Sequence, residues 1–266
     1  MENTGHTIHR PSGPGVRHYC RFRCEGHVAY GLVRGDQVHE LKDGLFDGPM
    51  ETGRCPGLSD VELLAPCEPT KILGLGWNYA SHLAGRPKPR NPEIFFVPPS
   101  AALRPGGPIA VPADTARCEC EGEMVVVIGK EAAKVPVDRA GEYVFGVTCG
   151  NDVSARDWQR NDLQWWRAKG CDTFAPFGPV LAQGLPYHDL LLTTRVNGQI
   201  TQQQRTSDLI FGVHQILSFV SQYVTLLPGD LIYTGTPGMT AALATGDLVE
   251  VELEGVGVLR NQVTQS

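Results

Sequence analysis

"CECEGEMVVVIGK", residues 118–130, sets three carboxylates in front of an apolar run. Glu119, Glu121 and Glu123 lie two apart, and Val125 and Val127 continue their phase. Side chains alternate along a β-strand, so this phase reads as one strand face with acids at one end and core residues at the other. Carboxylates one strand-step apart repel by about 1 kcal/mol in water and several times that when partly buried. An offsetting cation is therefore expected. Hard oxygen ligands with positions left for water or substrate suit Mg²⁺ or Mn²⁺.

A third acid is available in "GNDVSARDWQ" (150–159), where Asp152 sits at a strand-to-helix junction. The pattern predicts a helix over "SARDWQRNDLQWW" (154–166) with Ser154 as its N-cap. On a helix starting near 152 the 4 and 3 spacing of Asp152, Arg156 and Gln159 places them on one side. An acid, a guanidinium and an amide there could hold a metal and the polar groups of an anionic substrate. The plainer alternative is an exposed Asp–Arg pair. Lys169 follows two tryptophans and precedes an apolar strand, close enough in sequence to meet the acids.

The rest of the chain is built from short strands. "HVAYGLVRGDQVHEL" (27–41) reads as two strands turning at Arg34-Gly35-Asp36. "PCEPTK" (66–71), with two prolines, reads as a linker. The expected organisation is a flexible tail over 1–17, a small β domain over 18–65, and a catalytic β-roll domain over 72–266. Asn197-Gly198 in "RVNGQ" marks a tight turn. "TSDLIFGVHQILSFVSQYV" (206–224) spaces Leu209, Ile210, Val213, Ile216, Leu217 and Val220 as one helical face after a Thr-Ser-Asp start. Its His214 reads as a packed residue. Many strands and few helices predict an α+β, mainly β fold with a mixed β-sandwich or roll core.

Composition excludes several roles. A net charge of −6 argues against nucleic acid and against an anionic membrane surface. No apolar run nears the roughly 20 residues of a membrane-spanning helix, and the N-terminal stretch lacks a signal peptide's apolar middle. None of the eight cysteines forms a C-x-x-C pair, so reduced cytoplasmic thiols are expected.

Six blocks together resemble the fumarylacetoacetate hydrolase family over about residues 70–263. They are "GLGWNYASH" (74–82), "EGEMVVVIGK" (121–130), "NDVSARDWQ" (151–159), "KGCDTFAPFGPVL" (169–181), "VNGQITQQQRTSDLIF" (196–211) and "LLPGDLIYTGTPGM" (226–239). The resemblance implies a homodimer and a Mg²⁺- or Mn²⁺-dependent site with Glu121, Glu123 and Asp152 as ligands. It further implies Lys169 and His82 as catalytic residues, and Arg156, Gln159, Thr236 and Tyr79 as substrate contacts. Glu119 falls outside the motif and is expected to be a solvated bystander.

The resemblance also implies the chemistry: a C–C bond of a 2-oxo or 2,4-dioxo carboxylate is cleaved, by hydrolysis or decarboxylation, through a metal-stabilised enolate. The alternatives are isomerisation of a 2-hydroxy-dienoate on the same site, or a non-catalytic subunit that keeps fold and metal. Two departures bear on the choice. Many members carry a glutamate three residues after the histidine, where this chain has Gly85, and a lysine where it has Val97. Arg86, Lys88 or Arg104 could restore the charge, and Glu93 the base. The basic segment 84–93 lies where the family has a mobile lid. Loss of the His–Glu pair weakens a water-activating mechanism, whereas isomerisation needs only proton transfer.

Overall fold

Strand Gly122–Ile128 is buried along its whole length, which explains its unbroken apolar run. Met124, Val126 and Ile128 enter one core and Val125 and Val127 enter another on the opposite face. The structure is a computed structural model and describes residues 7–11 and 13–266.

Gly122–Ile128 lies inside an eleven-stranded sheet, hydrogen-bonded on one side to Val144–Asn151 and on the other to Leu231–Tyr233. Beyond Leu231–Tyr233 the order continues with Ile72–Gly76, a parallel neighbour, and ends at Glu93–Val97. Beyond Val144–Asn151 come Ala175–Gln183 and the N-terminal strands Arg17–Cys24, His27–Arg34 and Gln37–Glu40. A six-stranded sheet built on Leu191–Val196, Leu248–Leu253 and Gly257–Gln265 packs over the first. Leu192, Val251, Leu253 and Leu259 meet Met124, Val126 and Val147 in the core between them. This is the mainly β, α+β roll expected from the strand pattern.

The expected turns form. Asn197 and Gly198 both take positive φ, at 52° and 79°, and close the hairpin between Leu191–Val196 and Gln199–Arg205. His27–Arg34 turns into Gln37–Glu40 at Gly35-Asp36.

Three expectations are corrected. The helix expected over 154–166 is two short pieces, Arg156–Asn161 and Trp166–Gly170. Ser154 is not a cap: Ser154–Ala155 pairs with Cys118–Cys120, and the Ser154 hydroxyl donates to the Asp152 carbonyl. The later helix begins only at Val213, capped by Gly212 and Gln215, because the backbone before it pairs elsewhere: Leu209 bridges Tyr79 and the Ile210 amide donates to the Asn78 carbonyl. Its His214 accordingly packs against His188 and meets the Tyr187 hydroxyl at 3.0 Å. Part of the expected tail is ordered as well, since Thr7–Ile8 pairs with Gly257 and Val258. Residues 1–6 and 12 of that segment lie outside the described residues.

The cysteines among the described residues are unpaired. No described helix is long and apolar enough to cross a membrane.

Candidate active site

The motif E-G-E is shaped by a change of sheet. Cys118–Cys120 belongs to a small sheet with Ser154–Ala155 and Ala241–Ala242, whereas Gly122 onward belongs to the eleven-stranded one. Glu121 sits at the changeover, its amide donating to Asn151 Oδ1 at 2.9 Å and its carbonyl accepting from the Asp152 amide. A Cβ on Gly122 would lie 1.8 Å from Thr194 Oγ1, so only glycine fits between the two glutamates. The junction brings oxygen atoms of Glu121, Glu123 and Asp152 within 4.8 Å of one another, all three residues being buried.

Lys169, at the end of Trp166–Gly170, reaches this group from the side. Its Nζ donates to Glu121 Oε2 at 2.7 Å and to Asp152 Oδ2 at 2.5 Å. Burial favours the neutral acid at every carboxyl here, and the neighbouring charges decide each outcome. At Glu121, Lys169 and Arg156 outweigh burial and hold the carboxyl well below its usual range. At Glu123, burial is reinforced by Asp152 and Glu121, and the carboxyl is pushed well up. At Asp152, burial wins over Lys169 and raises it to about 7.

These residues fit a divalent cation. Glu123 Oε2 accepts from the Gly235 amide at 2.6 Å, but its Oε1 is buried with no hydrogen-bond partner. An unpartnered carboxylate oxygen facing two more acids is costly unless a cation joins them. An all-carboxylate donor set suits Mg²⁺ or Mn²⁺ better than a metal preferring sulfur or imidazole.

Arg156 is buried and does not pair with Asp152. Its Nε donates to Glu119 Oε2 at 2.7 Å, its Nη1 to Gln159 Oε1 at 2.8 Å, and its Nη2 to Glu121 and to Thr240 Oγ1. Glu119 is therefore no solvated bystander. It is buried and also accepts from Arg117 and Thr240, tying the strand to both walls of the site. Because Gln159 accepts from Arg156 through its oxygen, its NH₂ group is left as a donor.

The remaining candidates divide. His82 follows Tyr79 on a short 3₁₀ turn, Ala80–His82. Its Nδ1 donates to the Gly238 carbonyl at 2.6 Å, so in neutral imidazole the lone pair is on Nε2, which lies 4.0 Å from Glu121. The Thr236 hydroxyl donates to the Gly122 carbonyl and accepts from Gln202 Nε2, so its hydrogen is not free for a substrate. Tyr79 is fully buried with an unpartnered hydroxyl near Glu123, and burial pushes its phenol up. It stands behind the acids, outside the cavity lining.

That cavity encloses about 510 Å³. Glu121, Lys169 and His82 lie along it with Arg156, Gln159 and Thr236, and Trp77, Phe95 and Trp165 supply apolar wall. Of the substitutes considered for the missing lysine, Arg86 lines it, whereas Arg104 binds Glu62 and the Pro105 carbonyl instead. Val97 is buried in the second core. Glu93 borders a neighbouring hollow, away from His82. Residues the sequence did not single out are Asn151 and Gln202, which brace the E-G-E backbone. Their amides carry no sequence signal beyond their type.

Comparison with known proteins identifies the family and the fold. The family model described as fumarylacetoacetate (FAA) hydrolase C-terminal matches residues 71–264, and one described as Rv2993c-like, N-terminal matches 17–66. Protein Rv2993c of Mycobacterium tuberculosis is 45% identical over 251 residues, covering 90% of this chain and 94% of its own. The mitochondrial oxaloacetate tautomerase Fahd2a of Rattus norvegicus is 40% identical over 219 residues, 77% of this chain and 70% of its own. The crystal structure of 5-carboxymethyl-2-hydroxymuconate delta-isomerase from Mycobacterium smegmatis superposes with a TM-score of 0.90 at 42% identity, covering 94% of this chain and all of that one. Solved structures similar to this chain include both isomerases and hydrolases.

Proposed function

The chain belongs to the fumarylacetoacetate hydrolase family, and from that premise we propose that it is a Mg²⁺- or Mn²⁺-dependent enzyme moving a proton between the enol and keto forms of a small 2-oxo carboxylate. The observation that carries this reading is the bonding of His82. Its Nδ1–H is held by a backbone carbonyl, and the carboxylate nearest its Nε2 is Glu121, which Lys169 and Arg156 already bind. With Gly85 in place of an acid, no dedicated carboxylate orients this imidazole to draw a proton from water. Carrying one proton to or from a substrate carbon requires only an available Nε2. Similarity to an isomerase and a tautomerase supports the same choice.

Glu121, Glu123 and Asp152 would hold the metal, which supplies Lewis acidity toward the oxygens of a 2-oxo acid when bound. Lys169, buried and raised above its usual range because Asp152 and Glu121 outweigh its burial, stays cationic and stabilises negative charge developing beside it. The Gln159 NH₂ and the remaining Nη1 hydrogen of Arg156 orient a carboxylate. Trp77, Phe95 and Trp165 keep water from one side of the cavity. His82 Nε2 takes and returns the proton.

Cleavage of a C–C bond, by hydrolysis or decarboxylation, is the second reading. It is favoured by Lys169, whose fixed charge would serve an enolate leaving fragment equally well. The same reading carries a small anionic oxo acid as ligand and a homodimer as assembly. The test is to offer enol forms of 2-oxo acids to the Mn²⁺-loaded protein and follow enol absorbance with product mass. Loss of enol at constant mass, abolished in His82→Ala, is expected. Release of carbon dioxide or of two fragments would replace this reading with the second.

A further inference from the structure

A second cavity, of about 790 Å³, lies where the N-terminal strands meet the catalytic sheet, and it shares no lining residue with the active site. Arg17–Cys24, His27–Arg34 and the residues after Gln37–Glu40 line it from one side. Lys130, Phe145 and Gln183, the last residue of Ala175–Gln183, line it from the other. Clefts between structural units are favoured places for small-molecule sites. The loop 42–50 supplies a fixed wall. Across its neck the Lys42 amide donates to the Met50 carbonyl at 2.7 Å, Leu45 is buried beneath it, and Phe46 meets Phe145 edge-on with ring centroids 5.1 Å apart.

Three polar groups in this cavity have no partner. Arg17 and Tyr19 are two apart on one strand and share a face, and Gln183 pairs with Arg17 across the ladder. Tyr19 is only 4% exposed, yet its hydroxyl makes no hydrogen bond among the described residues and is not sealed into the core. A buried hydroxyl of this kind is costly unless something meets it. The Arg17 guanidinium and the Gln183 amide are equally uncommitted among the described residues. The two acids of the lining are already claimed, Glu51 by Arg34 and His39, and Glu142 by Arg139 through both oxygens. The open charge is therefore positive. Beside it the rings of Tyr19 and Phe145, 5.5 Å apart, continue into Phe46, and Phe46 and Phe145 are only half-buried.

We propose that this cavity is a second ligand site, separate from the active site, for a small aromatic carboxylate. The carboxylate meets the Arg17 guanidinium, the Tyr19 hydroxyl and the Gln183 amide, three donors for a group that only accepts. Its ring lies against Phe145 and Phe46, whose tilted arrangement offers both faces and edges. A ligand here ties the N-terminal unit to the sheet that carries the acids. Tyr19, Leu41 and Leu45 belong to the same core as Val125 and Tyr233, and Val125 stands two residues beyond Glu123. The site stands whatever the catalytic cavity turns over.

The test is calorimetric titration of benzoate, 2-naphthoate and uncharged 2-naphthamide into the full chain with Mn²⁺, with and without oxalate. At least one of the two acids should bind wild type saturably and equally well in the presence of oxalate. 2-Naphthamide should bind at least about tenfold more weakly than 2-naphthoate. Arg17→Gln should weaken the bound acid by about tenfold and Tyr19→Phe by about threefold or more. Both variants should melt with wild type, since Arg17 is exposed and Tyr19→Phe removes only an unpartnered hydroxyl. Saturable binding of neither acid, or binding that neither substitution weakens, overturns the site. Binding that oxalate displaces places the probe in the active-site cavity and overturns it as well.

Discussion

Arg156 spans two carboxylates, its Nε donating to Glu119 at 2.7 Å and its Nη2 to Glu121. One of these acids faces the proposed metal and the other does not. Glu119 therefore acts on the site through Arg156, by fixing where the guanidinium and its partner Gln159 stand. Glu119→Ala removes an acceptor shared by Arg117, Arg156 and Thr240. It should lower stability by about 2–4 kcal/mol in urea denaturation. Mn²⁺ affinity should fall by about tenfold or less, because Glu119 is not among the three clustered acids. A collapse of Mn²⁺ binding matching that of Glu123→Ala would place Glu119 among the ligands instead.

The same pair shows what the sequence can and cannot say. Period-two spacing grouped Glu121 and Glu123, and motif order added Asp152, because both signals are local. Glu119 shares their phase, yet the strand changes sheets between Cys120 and Gly122 and turns it toward Arg156. At that break Thr194, far along the chain, leaves room only for a glycine. The sheet order depends on equally distant pairings. The first helix starts later than its cap chemistry suggests for a related reason: Ser154 has the right chemistry for a cap, but strand Cys118–Cys120 claims its backbone. Arg86 was legible only as a positive charge, since its seat over the Trp77 ring depends on two left-handed residues, Ala84 and Gly85.

Glu123 should show a conflict between function and stability. Its Oε1 has no partner and its charge is opposed by Asp152 and Glu121. Glu123→Gln should raise the melting temperature of metal-free protein, by about 1–2 kcal/mol in stability, while weakening Mn²⁺ binding more than about a hundredfold. Thermal melts with and without chelator, beside titration calorimetry, measure both. A metal-free variant less stable than wild type would mean that the carboxylate is satisfied without a cation.

Metal binding should be coupled to protons with a definite sign. Glu123 and Asp152 are raised, Asp152 to about 7, so the metal-free folded protein holds protons there that the unfolded chain has released. For Asp152 this contribution to metal-free stability declines as pH rises from the ordinary carboxylate range through about 7, and Glu123 acts in the same direction. Glu121 works oppositely, since its lowered value favours the fold above the ordinary range and is lost in acid. Mn²⁺ must displace the protons, so its affinity should climb with pH through the range near 7 in which Asp152 titrates. Calorimetry in buffers of different ionisation enthalpy should detect proton release near pH 6. A pH-independent affinity from 5.5 to 8 would contradict the raised carboxyls.

Lys169 is the last point at which structure and chemistry can be separated. It bridges Glu121 and Asp152, so Lys169→Met leaves two buried carboxylates short of a cation. Metal-free stability should fall by about 3 kcal/mol or more. Saturating Mn²⁺ should restore most of it, because the ion supplies positive charge to the same acids. Turnover should not return with the fold: loss of a fixed cation beside developing negative charge costs on the order of a hundredfold or more. Melting curves with Mn²⁺ report the first effect and enol consumption at matched folded fraction reports the second. Recovery of both on adding metal would reduce Lys169 to a structural counter-ion. Recovery of stability alone would leave it beside the reacting atoms.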